Sequence, residues 1–486
     1  MRSFGATCYY TDIREAFLSS GFGRTKPREQ AAKTGCEKPA ANSRCLPRSH
    51  RNILRVRLGF SYSSFPFSMG QMPHRAPDAV AGADQKAVRM TSGERRAVVG
   101  LASIFGLRMF GMFIVLPVLA LYAETLPGGK DHRLLGLALG AYGLTQAVLQ
   151  VPFGWASDRW GRKPVIVAGL VIFALGSFIA AWAPTIVWTI VGRTVQGAGA
   201  ISAAVMALAA DLTRDSVRSR AMAAIGMTIG ATFALSLIVA PALTPLIGVP
   251  GVFALTGVLA LGAIALLRYA VPDAGPRRSP PNTRAQWKRV LVDRELLRLN
   301  YGIFALHAAL MAMFVEVPFM LRSDGVAAEQ HWLVYLPVLL ASVLLMLPAL
   351  WQADRPGRGK PVFVGAVAVL LAGQGMLAVA GASLALTVSA LVVFFTAFNL
   401  LEATLPSLVS KFAPAAVKGT AVGVYSSLQF LGAFIGAAAG GWLSQWHGAA
   451  AVFGFGLLLT LLWLAISVTM SAPPAYNQSN YSMGET

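Results

Sequence analysis

The chain has 486 residues, of which 55% are hydrophobic and only 13% are charged, and its mean hydropathy is +0.59. Apolar runs of about 20 residues recur along it, as in helices that cross a bilayer, so a soluble globular protein is excluded. The net charge of +20 does not indicate nucleic-acid binding, because much of it lies in the first 96 residues and in short connections between apolar runs, where membrane topology and anionic lipid explain it.

Residues 1–89 form a basic segment that is rich in Arg, Ser, Pro and Gly and has no apolar run long enough to span a bilayer. We expect this segment to be disordered. Its Arg-rich, acid-poor composition is also typical of an organellar transit peptide. A third hypothesis is that translation begins at Met69, Met72 or Met90 and that the upstream segment is not native. All three cysteines lie in this segment, so no disulfide or thiol chemistry is expected in the membrane body: Cys8, Cys36 and Cys45.

Twelve apolar spans follow the basic segment. They lie near residues 97–122, 134–156, 163–183, 186–210, 220–246, 251–270, 297–321, 332–352, 361–381, 384–410, 419–445 and 449–470. We therefore predict an all-α membrane protein with two pseudo-symmetric six-helix bundles, residues 90–270 and 297–470. A cytoplasmic linker at 271–296 joins the bundles, and a short cytoplasmic tail at 471–486 follows them.

The charges in the connections predict the orientation of the spans. Connections on one side carry the basic residues Arg159, Arg162, Lys163, Arg214, Arg218, Arg220, Arg355, Arg358, Lys360, Lys411 and Lys418. Connections on the other side are neutral, mixed or acidic, with Glu124, Asp131, Asp324 and Glu329. By the positive-inside rule the basic side, and with it both termini, lies in the cytoplasm.

A strongly charged loop joins the second and third spans, and it recurs about 196 residues further on. Its first copy contains Gly154, Asp158, Arg159, Gly161, Arg162 and Lys163, and its second copy contains Asp354, Arg355, Gly357 and Arg358. Because both copies lie between apolar runs, the chain is predicted to consist of two copies of one membrane unit.

Each residue type in this loop has a physical use. The glycines permit a tight turn, and the Asp158 carboxylate is suited to the positive N-terminal end of a helix. Arg159 and Arg162 can pair with carboxylates or lipid phosphates. We expect Asp211, at the cytoplasmic end of span four, to pair with Arg162. The simpler interpretation is that these are flanking charges that only set topology.

Five ionisable residues stand out because they lie away from the cytoplasmic ends of the predicted spans: Arg108, Arg193, His307, Glu316 and Glu402. A charge at bilayer depth costs at least about 2.5 to 3.5 kcal/mol, so each needs a partner, water or a function. The two glutamates are the deep acids, and a carboxylate that takes up a proton is the simplest means of coupling transport to a proton gradient. The alternatives are a structural Glu402–Arg pair, a Glu316 hydrated near the outer surface, and a His307 satisfied near an interface.

The charged loop resembles the signature of the major facilitator superfamily, Gly-x-x-x-Asp-Arg-x-Gly-Arg-Lys, and its first copy matches every specified position. In the second copy Leu350 stands where Gly is expected. Residues 192–199 resemble the span-four motif of the family, whose Arg, here Arg193, is associated with proton coupling. Stretches such as 107–117 and 397–402 are similar to the YajR-type bacterial transporters, a likeness that extends over residues 90–474.

The resemblance implies a twelve-span carrier of the drug:proton antiporter group in the bacterial inner membrane. The expected function is efflux of small lipophilic or drug-like solutes by alternating access, with spans one, four, seven and ten lining a central cavity. Asp158, Arg162 and Asp211 are expected to stabilise the outward-facing state as a conformational lock. The expected partners are the lipid bilayer, a small-molecule substrate and protons. We expect a monomer, not an enzyme, with no metal or cofactor.

Two other functions are compatible with the same residues. One is proton-coupled uptake of a small metabolite, which differs from efflux only in the direction of solute movement. The other is a non-transporting membrane sensor or scaffold built on the same fold.

Overall fold

The computed structural model describes residues 90–273, 284–353, 355–381, 383–414 and 417–471. The predictions for the basic segment 1–89, for Asp354 and for the tail beyond residue 471 lie outside the described residues. Within the described ranges the structure is helical, and ten stretches are long and apolar enough to cross a membrane. The expected all-α membrane architecture is confirmed at this level.

The described α-helices are numbered in chain order. They are α1 (Ser92–Phe113), α2 (Leu116–Ala123), α3 (His132–Trp160), α4 (Arg162–Ala181), α5 (Ile186–Ala198), α6 (Ser202–Asp211), α7 (Asp215–Tyr269), α8 (Arg284–Val292), α9 (Arg294–Ser323), α10 (His331–Ala353), α11 (Gly359–Val379), α12 (Leu384–Phe412) and α13 (Lys418–Val468). A short 3₁₀ helix, Ala328–Gln330, precedes α10. The predicted linker contains α8, and span seven begins at Arg294, three residues before the predicted boundary.

Two of the apolar stretches contain a short break in the helix. The first break separates α1 from α2, and Pro117 stands in the first turn of α2, where a missing N–H removes no helical hydrogen bond. The second separates α5 from α6, and Gly199 there has φ −74° and ψ 58°. Each break leaves backbone groups and side chains free to point towards neighbouring helices.

The two longest helices, α7 and α13, each contain one glycine with a non-helical conformation. Helices of 55 and 51 residues would be about 75 to 85 Å long at a rise of 1.5 Å per residue, far beyond the roughly 30 Å of a hydrocarbon core. Gly248 has φ 67° and ψ 170°, and Gly448 has φ 72° and ψ −175°. Only glycine adopts such angles readily. The two glycines fall between predicted spans five and six and between spans eleven and twelve.

The helices pack mainly within two regions of the chain, here called the N-terminal half (residues 90–273) and the C-terminal half (residues 284–471). In the N-terminal half α1 packs on α7, and α5 packs between α3 and α4. In the C-terminal half α9 and α11 pack on α13, and α12 packs on α10 and α11. The largest contact between the halves is that of α3 with α13.

Glycines let α13 approach two helices closely. On α3, a Cβ atom at Gly143 would lie 2.7 Å from the carbonyl oxygen of Phe430, and one at Gly140 would lie 3.0 Å from that of Phe434. On its other side, Gly436 lies against the backbone of Ala308 in α9. In lipid, where helices gain nothing by hiding apolar surface from one another, such backbone contact is a main source of association.

We expect Gly436→Val to lower the thermal stability of the purified protein in detergent, by about 1 to 3 kcal/mol, because its Cβ would overlap the backbone of α9. Gly454→Val is the matched control in the same helix, since no atom lies within 4 Å of its Cβ position. Equal melting temperatures for the two variants would contradict this account of the α9–α13 contact.

Candidate functional site

The charged loop is a one-residue turn between α3 and α4. Gly161 connects the two helices with φ 95° and ψ 150°, and Gly357, at the corresponding place in the second copy, has φ 73°. Positive φ favours glycine at both positions. The repetition seen in the sequence therefore corresponds to a repeated backbone requirement.

Arg162 is the centre of the contacts made by this loop. Its guanidinium lies 2.5 Å from Asp158 Oδ1 and 3.1 Å from Asp211 Oδ2, and it donates to Ser157 Oγ at 2.7 Å. The predicted Arg162–Asp211 pair is present. The Arg162 side chain is 13% exposed and that of Asp158 is 47% exposed, so Asp158 presents the outer side of the pair. Both partners belong to the N-terminal half.

Other residues of the loop contact the start of the linker and the protein surface. Lys163 Nζ donates to the carbonyl of Val271 at 2.7 Å and lies 2.6 Å from Asp273 Oδ1. Arg159 is exposed and stacks over Trp155 at 5.5 Å from the ring centre. In the second copy Arg355 and Arg358 are exposed, so this copy lacks the burial that surrounds Arg162.

A second ion pair joins the start of α1 to the start of α7. Thr91 and Glu94 form a capping box at the N-terminus of α1, and Glu94 also accepts from Arg214 Nε at 2.8 Å and from its Nη2 at 2.9 Å. The backbone N–H groups of Thr91 and Arg214 and the Arg214 guanidinium therefore all donate to the Glu94 carboxylate. This contact, like those of Arg162, stays within the N-terminal half.

Arg108 lies in a buried hydrogen-bonded group in the N-terminal half. Its guanidinium donates to Tyr142 Oη at 2.7 Å, to Gln146 Oε1 at 2.6 Å and to Ser202 Oγ at 3.1 Å. Gln146 in turn donates to Gln150 at 3.1 Å. The Arg108 Nε atom is buried without a hydrogen-bond partner among the described residues.

Arg193 approaches the same tyrosine from another helix. Its guanidinium carbon lies 5.0 Å from the Tyr142 ring centre, and that of Arg108 lies 5.9 Å from it. Arg193 also donates to Gln196 Oε1 at 2.7 Å. Residues Arg108, Tyr142, Gln146, Arg193 and Ser202 are called the Tyr142 cluster below.

The Tyr142 cluster holds two cations without a carboxylate. Among the described residues neither guanidinium forms an ion pair, so neutral acceptors and the Tyr142 ring stabilise them. We expected these side chains on helices that line a cavity, but Arg108 and Arg193 are each only 1% exposed. They lie inside the packing of the N-terminal half.

The C-terminal half contains a different group, called the Gln429 cluster: His307, Glu402, Tyr425 and Gln429. The side-chain amide of Gln429 lies 2.8 Å from His307 Nε2 and donates to Glu402 Oε1 at 3.3 Å. His307 Nε2 lies 3.9 Å from Glu402 Oε2. The Glu402 side chain is 25% exposed, so this acid is within reach of solvent or solute. The alternative of a structural Glu402–Arg pair is wrong for this structure, because the partners are an amide and an imidazole.

Glu316 lies in a third place, near the end of α9. The alternative of a Glu316 that is exposed to water near the outer surface is wrong, because the residue is only 6% exposed. Residues 440–444 of α13 pass beside it and cover it.

The end of the helices that carries His132 joins the two halves. The His132 backbone N–H donates to Gln445 Oε1 at 2.8 Å, its Nδ1 lies 2.5 Å from Ser444 Oγ, and its ring stacks on Phe319 with centres 5.0 Å apart. These three residues belong to the C-terminal half, so one histidine at the start of α3 contacts both α9 and α13.

An ion pair lies beside His132 at the same end. Arg322 donates to both carboxylate oxygens of Glu124, at 2.5 and 3.1 Å. The hydrogen bond from Arg322 holds the pKa of Glu124 below its ordinary value. The pair therefore stays ionised at pH values where a free glutamate would be partly protonated.

An aromatic group closes the space between this end and the Gln429 cluster. Phe233 of α7 contacts Phe113 at 5.1 Å, Phe314 at 6.3 Å and Phe398 at 6.0 Å between ring centres. Phe398 also lies 5.9 Å from the His307 ring. Rings from both halves thus meet directly beside the Gln429 cluster.

Sequence reasoning missed several residues that the structure brings together: Glu94, His132, Ser157, Gln429 and Ser444. The Thr-x-x-Glu spacing at Thr91 and Glu94 is a capping-box signal that can be found in a sequence. The others carry no such signal, because neutral polar side chains in apolar helices acquire partners only through tertiary packing.

The ten apolar helical stretches among the described residues define a polytopic membrane protein, and ionisable groups lie on these helices in both halves. A family model described as Major Facilitator Superfamily matches residues 101–437. The inner membrane transport protein YajR of Escherichia coli (strain K12) is 45% identical over 389 residues, which cover 79% of this chain and 86% of YajR. The chain belongs to the major facilitator superfamily, and it is a transporter and not an enzyme.

Two further comparisons agree with this membership. The class G tetracycline resistance protein of Vibrio anguillarum is 34% identical over 154 residues, 31% of this chain and 38% of that protein. A solved structure of a bacterial homologue of the human lysosomal transporter Spinster, inward-facing and occupied, matches with a TM-score of 0.67 at 12% identity. That match covers 79% of this chain and 98% of the other. At this identity the match concerns the fold alone.

If solute transport requires the two halves to part at this end, cross-linking of the Glu124–Arg322 pair should stop it. The test uses Glu124→Cys with Arg322→Cys in a chain whose three cysteines are changed to Ser, joined by a short bis-methanethiosulfonate. Reduction should restore transport by the reconstituted protein. Asp131→Cys with Arg133→Cys, a neighbouring ion pair within one half, is the control that should stay active. Full activity of the cross-linked 124–322 protein would show that the halves need not separate here.

Proposed function

We propose that the protein is a secondary active transporter that exports small lipophilic or drug-like solutes in exchange for protons. The observation that carries this proposal is Glu402, a partly exposed carboxylate in a membrane-spanning helix whose neighbours are an amide and a histidine. Glu402 can gain or lose one proton, and that change of charge alters the cost of facing an apolar wall or lipid. The resistance protein among the relatives favours export over uptake.

The proposed architecture has twelve spans in two six-helix bundles with both termini in the cytoplasm of a bacterium. Division of α7 at Gly248 and of α13 at Gly448 adds two spans to the ten apolar stretches. The related glycine pairs, 161 with 357 and 248 with 448, support two copies of one unit. YajR is an inner membrane protein by name, and we propose the same membrane for this chain.

We propose further that this structure is open towards the cytoplasm. With the basic connections in the cytoplasm, His132 and the Glu124–Arg322 pair lie at the outer face, where the two halves touch. The aromatic group around Phe233 supports closure from the same side. The Gln429 cluster would then communicate with the cytoplasm, from which an exporter collects its solute.

The contacts of Arg162 support a different version of the conformational lock formed by Asp158, Arg162 and Asp211. In this structure they are formed while the halves touch at the His132 end, so in the proposed inward-open state they persist. We propose that Asp211 and Ser157 hold Arg162 as a fixed platform in every state. The exposed Asp158 carboxylate then meets the other half only in the outward-facing state.

The coupling proposal predicts that Glu402→Gln loses transport driven by a pH gradient, by at least about tenfold, which corresponds to about 1.4 kcal/mol. The assay is a proteoliposome with an imposed pH gradient, an internal pH indicator and a panel of lipophilic dyes and drugs. Because the amide is similar in size but cannot release a proton, exchange of labelled solute without a gradient should persist.

Glu316→Gln is the matched control, since it removes the other buried acid, and it should keep gradient-driven transport. If it alone abolishes coupling, the proton site is Glu316 and the assignment to Glu402 is wrong. Movement of solute in the same direction as the protons would favour uptake. Absence of flux under any ion or voltage gradient would favour the sensor or scaffold.

The lock proposal predicts that Asp158→Asn slows transport several-fold while the melting temperature hardly changes, because Asp158 lies on the exposed side of the pair and the Arg162 guanidinium keeps Asp211 and Ser157 as partners. Asp131→Asn, which removes a partly exposed carboxylate at the opposite end of α3 and keeps a residue able to cap the helix, should leave the rate unchanged. An unaltered rate in Asp158→Asn protein would count against the platform and the lock together.

A further inference from the structure

The hydrogen bonds of the Gln429 cluster determine where its hydrogens lie. His307 Nδ1 is 3.3 Å from the backbone carbonyl of Ile303. A carbonyl only accepts, so Nδ1 must carry a hydrogen. In a neutral imidazole Nε2 is then an acceptor, and it receives one hydrogen of the Gln429 amide. The second amide hydrogen goes to Glu402 Oε1. One NH₂ group therefore serves both titratable residues.

Two polar atoms of the cluster are left without a hydrogen bond among the described residues. They are Glu402 Oε2 and the Tyr425 hydroxyl, and both are buried. Glu402 Oε2 is also the carboxylate atom that lies 3.9 Å from His307 Nε2. The titratable groups that face this gap are His307 on α9, Glu402 on α12 and Tyr425 on α13. The atoms around this gap can accept and share one additional proton.

We infer that Gln429 is a positioning residue that makes His307 and Glu402 a single proton-binding unit. In the empty unit His307 is neutral, Glu402 is ionised and the amide is bonded to both, and the heavy atoms of this structure have that arrangement. An arriving proton binds in the gap between His307 Nε2 and Glu402 Oε2. It displaces the amide from His307, and Gln429 keeps only its bond to Glu402. No covalent bond is broken, and one proton from the aqueous phase is bound. This inference rests on the proposed proton coupling and names the residue that tunes it.

The place of Gln429 in the fold allows this change to reach the interface between the halves. Its neighbour Phe430 contacts the Tyr142 ring of the N-terminal half at 6.3 Å between centres. The same helix, α13, carries Ser444 and Gln445, which bind His132 about 22 Å further along at 1.5 Å per residue. A shift of Gln429 therefore acts on the helix that forms the largest contact between the halves.

The direction of the effect on proton binding follows from the donors. The amide bonds to Glu402 in both states but to His307 Nε2 only while that nitrogen has no proton, so it favours the empty unit. Removing the amide should make the unit bind its proton at higher pH. Loss of the one hydrogen bond to neutral His307 predicts an upward shift of about half to one pH unit in the midpoint of proton uptake.

The test measures proton uptake by the purified full-length protein in detergent, without any solute, as the pH is lowered. The one-proton step should be present in the wild type and absent in the double variant His307→Gln with Glu402→Gln. Gln429→Met and Gln429→Leu both remove the donors, so either one suffices if the other fails to fold by size-exclusion chromatography. In the folded variant the midpoint should lie about half to one pH unit higher than in the wild type.

Ser427→Ala is the control on the same helix, because the Ser427 hydroxyl is buried without a partner among the described residues, and its midpoint should equal that of the wild type. A folded Gln429 variant with the wild-type midpoint would overturn the inference. Since the assay contains no solute, the expected shift without any proteoliposome flux would overturn the transport proposal alone. Normal flux without the shift would overturn the role of Gln429 alone.

Discussion

The close approach of α3 and α13 brings the two buried clusters next to each other. Gly140 and Gly143 permit it by omitting a side chain where the backbone of α13 passes. In a bilayer this contact is stabilised by packing and by the backbone, since lipid offers no hydrophobic drive for two helices to associate. The contact brings Tyr142 against Phe430. Tyr142, in the cationic cluster of one half, therefore contacts the residue that follows Gln429 in the other half.

The two halves differ in the kind of ionisable group that lies on their apolar helices. In the N-terminal half two arginines keep their charge at any physiological pH, and neutral acceptors together with an aromatic face stabilise them. In the C-terminal half His307, Glu316 and Glu402 lie on the apolar helices, and each of them can change charge. The arginines of one half stay positive, whereas the charge of the titratable groups in the other half changes when a proton binds. The electrostatic energy between the halves then differs between the protonated and unprotonated molecule, and such a difference is needed if a proton is to bias the conformation.

How much of the site could be predicted depended on whether a residue carries a local signal. The Asp158 loop repeats in the sequence, and the need for a positive φ at Gly161 and Gly357 is a local property, so loop and turn were both predictable. The Arg162–Asp211 pair was predictable because both residues end adjacent spans on one side. Glu316 was misjudged, because its burial depends on how closely α13 covers the end of α9. Gln429 was missed, because an amide has no charge to mark it among apolar residues.

The sequence by itself determined the membrane class, the approximate spans, the charged turns and the set of ionisable groups at bilayer depth. These follow from hydropathy and charge, which are summed along the chain and need no knowledge of neighbours. Only the tertiary structure decided that the arginines are buried around Tyr142, that Glu402 has Gln429 and His307 beside it, and which end holds the halves together. Those outcomes depend on contacts between residues that are distant in the chain, since side chains within the membrane must find their partners on other helices.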